Sequence, residues 1–94
     1  MIIVSGTLHL APADRGPYLE ECREIIELAR TKPGCLDFHL SADPIEPGRI
    51  NVFEQWESVA DVEAFRGSGP SSQQTAAIHD AAVFQHEINS SIRL

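Results

Sequence analysis

Basic residues, cysteines and long apolar runs are all scarce in this 94-residue chain, and each scarcity removes a class of function. Only 7 Lys and Arg stand against 14 Asp and Glu, giving a net charge of −7. Nucleic acids and anionic membrane surfaces are bound through a basic footprint, so neither is an expected partner. The acidity has a simpler use in keeping the chain soluble. Apolar runs span only a few residues, too short for a membrane-crossing helix. Residues 1–10, MIIVSGTLHL, lack the basic start and long apolar centre of a signal peptide, and they alternate like a strand instead. Cys22 and Cys35 are too few for a disulfide framework and have no metal-type spacing. Both read as reduced core thiols of a cytoplasmic protein.

What remains is the composition of a globular domain. Hydrophobic residues make up 43% and charged residues 22%, enough for one core, so residues 1–94 are read as a single domain. A chain this short buries only about 60% of its unfolded surface, which makes association into a dimer a natural source of extra stability.

Periodicity sets out the elements. Ile2, Val4, Gly6, Leu8 and Leu10 alternate with Ile3, Ser5, Thr7 and His9, predicting a strand over 2–10. From about Asp14 to Arg30, Tyr18, Leu19, Cys22, Ile25, Ile26 and Ala29 form one helical stripe, and Pro33-Gly34 ends it. Leu36, Phe38 and Leu40 alternate in a second strand. The loop ADPIEPG leads to a third strand over 49–56. Ser58 is an N-cap, and Val59, Val62 and Phe65 give the following helix its inner side. After the break GSGPSS, an alanine-rich helix is expected over 73–82 and a last strand over 84–92. That order is the α+β, ferredoxin-like βαββαβ pattern, a four-stranded antiparallel sheet with its helices on one face.

Strand parity then divides the candidate functional residues. Ile50, Val52, Glu54 and Trp56 share one face of the third strand, and the β-branched pair marks it as the face toward the helices. Trp56, the only tryptophan, is thus expected between sheet and helices, with its N–H in need of a partner. Glu54 either reaches out to water or is a functional carboxyl whose pKa is raised. The opposite face is polar, with Ser5, Thr7, His9, Asp37, His39, Ser41, Asn51 and Gln55, joined by Gln85, Glu87 and Asn89. It suits a solvent-washed face, a wet interface, or a metal site using His9, His39, Asp37 or Glu87, although no ligand pair has a diagnostic spacing. His86 is expected on the inner face beside Phe84 and Ile88, and His79 on the alanine-rich helix, facing either inward or outward. Gly6 either opens space for a ligand or forms a bulge.

Taken together, the MIIV strand, the acidic helix, PGCL, the loop DPxxPxR and FEQWES resemble the antibiotic biosynthesis monooxygenase (ABM) family, from Met1 to about Phe65. The resemblance implies a homodimeric α+β barrel, with a pocket between sheet and helices in each subunit. It also implies oxidation of a small aromatic phenol or quinol by molecular oxygen, with no flavin, metal or haem. Trp56 falls where polyketide-oxidising members carry a pocket tryptophan. At their asparagine, tyrosine and arginine positions this chain has Val52, Val62 and Ala76. The positions used by haem-degrading relatives are Gly6, Phe65 and about Thr75. A histidine that many members carry in a PH step is replaced by Ser71 after Pro70.

The predicted pocket is therefore Gly6, Val52, Trp56, Val62 and Phe65, with His79, His86 and Glu54 as candidates for a general base. The first functional expectation is a cofactor-independent monooxygenase. The alternative is a non-catalytic, ligand-binding or stress-related dimer of the same fold. A third option is a metal- or haem-binding dimer that uses the histidines.

Overall fold

The computed structural model describes residues 1–67 and 78–94. Its elements run β1 (Ile2–His9), α1 (Pro12–Arg30), β2 (Cys35–Ala42), β3 (Arg49–Trp56), α2 (Val59–Arg66) and β4 (Asp80–Glu87). The strands pair antiparallel in the order β2-β3-β1-β4. This is the ferredoxin-like arrangement expected from the sequence. Among the described residues no helix is long and apolar enough to cross a membrane.

The hydrophobic stripe builds the core as its spacing predicts. One cluster joins Ile2, Val4, Phe38 and Trp56 of the sheet to Ala29, Val62 and Phe65 of the helices. A second joins Leu8, Ile50 and Val52 to Leu10, Tyr18 and Cys22. Ile50 is fully buried, which alone contributes about 1.5–3 kcal/mol. Both helices therefore cover one face of the sheet.

Local signals set most boundaries. Pro12 opens α1 at a position where its missing N–H costs nothing, two residues ahead of the expected start. Ser58 caps α2 by accepting from the Asp61 N–H at 3.2 Å, and its hydroxyl donates to Asp61 Oδ2 at 2.8 Å. Gly34, at φ +81°, makes the turn into β2, where a Cβ would strike the Asp61 side chain. The loop into β3 is held by Asp43, which accepts from the Ile45 and Glu46 N–H groups at 3.0 and 2.9 Å. Arg15 ties the loop to α1 by donating to the Asp43 and Glu46 carbonyls.

Two expectations need correction. In β2, the register shifts between Cys35 and Asp37, so Cys35 sits opposite Trp56 and Leu36 turns outward, 49% exposed. The larger change is at the C-terminal end. Residues 73–77 of the expected helix lie outside the described residues, but Asp80, Ala81 and Ala82 belong to β4, which ends at Glu87 rather than 92. Alanine is the best helix former, but intrinsic propensity is worth under about 1 kcal/mol per residue, and pairing with β1 overrides it.

Candidate functional site

The register of β4 fixes which side chains face the helices. Gly6 pairs with Val83, Val4 with Gln85 and Ile3 with His86. Val83 and Gln85 therefore share the helix side of the sheet with Val4, whereas Phe84 and His86 share the open side with Ile3 and Ser5. This inverts the parity expected for the strand. His86 points away from the helices, and Gln85 and Glu87 point toward them. The segment AAVFQHE places Val83 and Phe84 side by side, so its apolar residues do not declare a face, and a one-residue slip exchanges the two. His79 lies on no helix. It is exposed just before β4, and its N–H donates to the His9 carbonyl at 2.8 Å.

A cavity of about 230 Å³ opens where the two core clusters meet. Its walls are Leu8, Tyr18, Cys22, Ile25, Phe38, Leu40, Val52, Phe65, Ile78 and Val83, with Glu54 and Arg66 as the charged groups. Arg66 and Val83 are exposed and Tyr18, Cys22 and Phe38 are buried, so the mouth lies between the end of α2 and β4. Of the predicted pocket residues, Val52 and Phe65 line this space.

Gly6, Trp56 and Val62 are not among its wall residues, contrary to expectation. The indole is 0% exposed and Val62 1% exposed, both packed solidly in the core. Trp56 lies behind the wall, its ring centroid 5.3 Å from that of Phe65, which in turn meets Phe38 edge-on at 5.3 Å. Gly6 opens no space for a ligand and forms no bulge, since the β1 ladders run through it without a break. Its missing side chain instead lets β4 approach, because a Cβ would collide with the Ala82 carbonyl.

Glu54 is the predicted base candidate that the structure brings to the cavity. Its Oε1 accepts the indole N–H of Trp56 at 3.1 Å, one strand step away on the same face. Burial pushes the Glu54 carboxyl above the usual carboxylate range, while the Trp56 N–H and the Arg66 charge act in the opposite direction. Arg66 reaches across the mouth and donates to Gln85 Oε1 at 2.8 Å.

Sequence reading missed the rest of the polar lining. The helical stripe places Tyr18 in the core, and it is buried as expected, but it also lines the cavity, its phenol hydrogen-bonded to the Cys22 sulfur one turn on. Burial and the Cys22 thiol push the phenol up to about 12 from 10.0. Arg66 carried no signal beyond its place in the last turn of a short helix. Both residues become visible once the two clusters are seen to leave a gap.

On the open face, His39 stacks on Phe53 with centroids 5.3 Å apart and lies 3.8 Å from Asp37, while His9 lies 3.7 Å from Glu46. Among the described residues no three His, Cys, Asp or Glu side chains group in a way that could hold a metal ion. Ser71, Thr75 and Ala76, compared above with family positions, lie outside the described residues.

The same architecture recurs among solved structures. Rv0793 from Mycobacterium tuberculosis superposes with a TM-score of 0.78 at 18% identity, covering 98% of each chain. PA3566 from Pseudomonas aeruginosa gives 0.76 at 19% identity, covering 95% of this chain and 94% of its own. A solved antibiotic biosynthesis monooxygenase gives 0.76 at 22% identity, covering 96% of this chain and all of its own. At such identities the likeness speaks for the fold alone. No curated protein matches the sequence. The family model for antibiotic biosynthesis monooxygenases, however, matches residues 1–80. The chain belongs to the antibiotic biosynthesis monooxygenase family.

Proposed function

We propose that the protein is a cofactor-independent monooxygenase that oxidises a small phenol- or quinol-type aromatic in the cavity between sheet and helices. The observation that carries this reading is Glu54, a half-buried carboxyl that accepts an indole N–H at the wall of a largely apolar hollow. A carboxyl raised toward neutral pH is a better base for a phenol than an ordinary one. The cavity falls below the ~300–1,000 Å³ of drug-sized ligand sites, so it suits one or two fused rings.

In this mechanism the apolar walls orient the ring and exclude water. Glu54 takes the phenolic proton, which leaves an electron-rich phenolate as the electron source. Oxygen then adds at a ring carbon. One oxygen atom stays as the new carbonyl, and the other leaves as water with the phenolic proton and the displaced ring hydrogen. With 1-naphthol the balance is one naphthol and one O₂ to one naphthoquinone and one water. Neither His79 nor His86 has a part, because neither reaches the cavity. The test is oxygen uptake with 1-naphthol and no added cofactor, with Glu54→Gln as control. Stoichiometric uptake that Glu54→Gln abolishes supports the reading. Binding without uptake refutes it and leaves the second reading, a ligand-binding module. That reading is favoured by the scarcity of polar groups at the cavity, where Glu54 is the sole candidate base among the described residues.

Two copies are proposed to pair through the open face of the sheet, where Phe84 is 62% exposed and the His39–Phe53 stack is half-buried. Sedimentation at micromolar concentration tests this: a monomer that persists there rules the pairing out. A cytoplasmic location is part of the same reading, since Cys22 and Cys35 form no disulfide.

A further inference from the structure

Arg66 is not explained by the fold. It belongs to the last turn of α2, it is exposed to solvent, and it lines the cavity mouth. Its hydrogen-bond partner among the described residues is the neutral amide oxygen of Gln85. The ion pairs there engage Arg23, Arg49, His9 and His39, and Arg66 is absent from them. Residues 68–77, SGPSSQQTAA, contain no Asp or Glu, so the adjoining segment supplies no carboxylate either. Glu54 shares the cavity, yet no contact within 4 Å joins it to Arg66. A full positive charge thus stands at the entrance to a largely apolar hollow, held there by a neutral partner.

We infer that Arg66 is the oxyanion-binding residue of the cavity, exchanging its bond to Gln85 for the acidic oxygen of a compact aromatic guest. This rests on the cavity being a small-molecule site, as proposed above. The guest class is an aromatic with one acidic oxygen: a phenol ionised in place, or an aryl carboxylate that brings its own charge. A guanidinium-to-oxyanion bond is stronger than the same donor's bond to an amide, so the exchange is downhill. It also completes the charge arithmetic of the mechanism. Before proton transfer, the Glu54 carboxylate and Arg66 offset one another. Afterwards Glu54 is neutral and the phenolate is the remaining negative charge, which Arg66 meets. Arg66 directly follows Phe65, a wall residue, so the charge and the ring platform come from the same helix end.

The test is calorimetric titration of 1-naphthoate and of its neutral counterpart 1-naphthamide into the wild type, Arg66→Met and Arg66→Lys. Arg66 is exposed, so both variants should fold, and melting curves check that they do. Loss of a charge-assisted hydrogen bond is expected to weaken 1-naphthoate about 10- to 100-fold in Arg66→Met. The 1-naphthamide affinity is expected to stay within about threefold, and Arg66→Lys to recover part of the naphthoate affinity through its point charge. Gln85→Ala, which frees the guanidinium, should leave naphthoate binding unchanged or tighter. Unaltered naphthoate binding in Arg66→Met, or equal losses for both ligands, would overturn the inference while leaving the cavity reading intact. Failure of both ligands to bind the wild type would overturn the cavity reading and the inference together.

Discussion

Tyr18 offers a clean physical test of the site, because it is the only tyrosine in the chain. Its phenol is pushed up to about 12 from 10.0, chiefly by burial and next by the neighbouring Cys22 thiol. At 1.36 kcal/mol per tenfold change in proton affinity, that gap corresponds to about 3 kcal/mol favouring the neutral phenol in the folded chain. The sign follows from linkage. The folded state holds this proton more tightly than the unfolded state, so the contribution is fully present below pH 10. It is lost as pH rises from about 10 through about 12. Absorbance at 295 nm reports ionisation of this one phenol, with circular dichroism recorded alongside to follow folding. The expected result is little tyrosinate at pH 10.5 while the fold is intact, and a midpoint near 12 or coincident with unfolding. Tyr18→Phe should remove most of the alkaline loss of stability in this window. A midpoint near 10 in a chain that is still folded would refute the burial argument, and with it the picture of a dry cavity floor. At neutral pH the phenol stays protonated, so it can donate to Cys22 or to a guest but cannot act as a base.

Glu54 should behave in the same sense at lower pH. Its folded pKa is raised by burial, so its stabilising contribution is present below the unfolded carboxylate range and lost as pH rises through the folded value. Glu54→Gln should abolish that slope in melting experiments and cut oxygen uptake about 10²- to 10⁴-fold; a variant with the wild-type pH–rate profile would remove Glu54 from the mechanism. Trp56→Phe removes the N–H that stabilises the Glu54 carboxylate, so the acid limb of that profile should move to higher pH, and an unmoved limb would show the bond to be idle. Gly6→Ala should destabilise markedly, because the new Cβ meets the Ala82 backbone, whereas Gly16→Ala, with open space around it in α1, should stabilise by about 0.5–1 kcal/mol. Thermal melts that rank the two glycine variants the other way would contradict the close docking of β4.

Much of this protein was legible as sequence because local chemistry repeats at the period of its elements. The alternation of Ile50, Val52 and Trp56 placed β3 and its inner face, the stripe from Tyr18 to Ala29 placed α1, and Ser58 marked the start of α2. What pairs with what was not written locally. The segment from Asp80 is alanine-rich with adjacent apolar residues, so neither its type nor its parity could be read until β1 supplied a partner ladder. The site depends on tertiary structure more strongly still. A cavity is a deficit of packing between two clusters, and no single residue encodes it. Trp56, the conspicuous aromatic, fills its space completely, while Tyr18, Glu54 and Arg66, from three different elements, meet around the space left over. Patterning decided which faces are apolar, and only the fit of finite side chains between sheet and helices decided where the apolar layer fails to close.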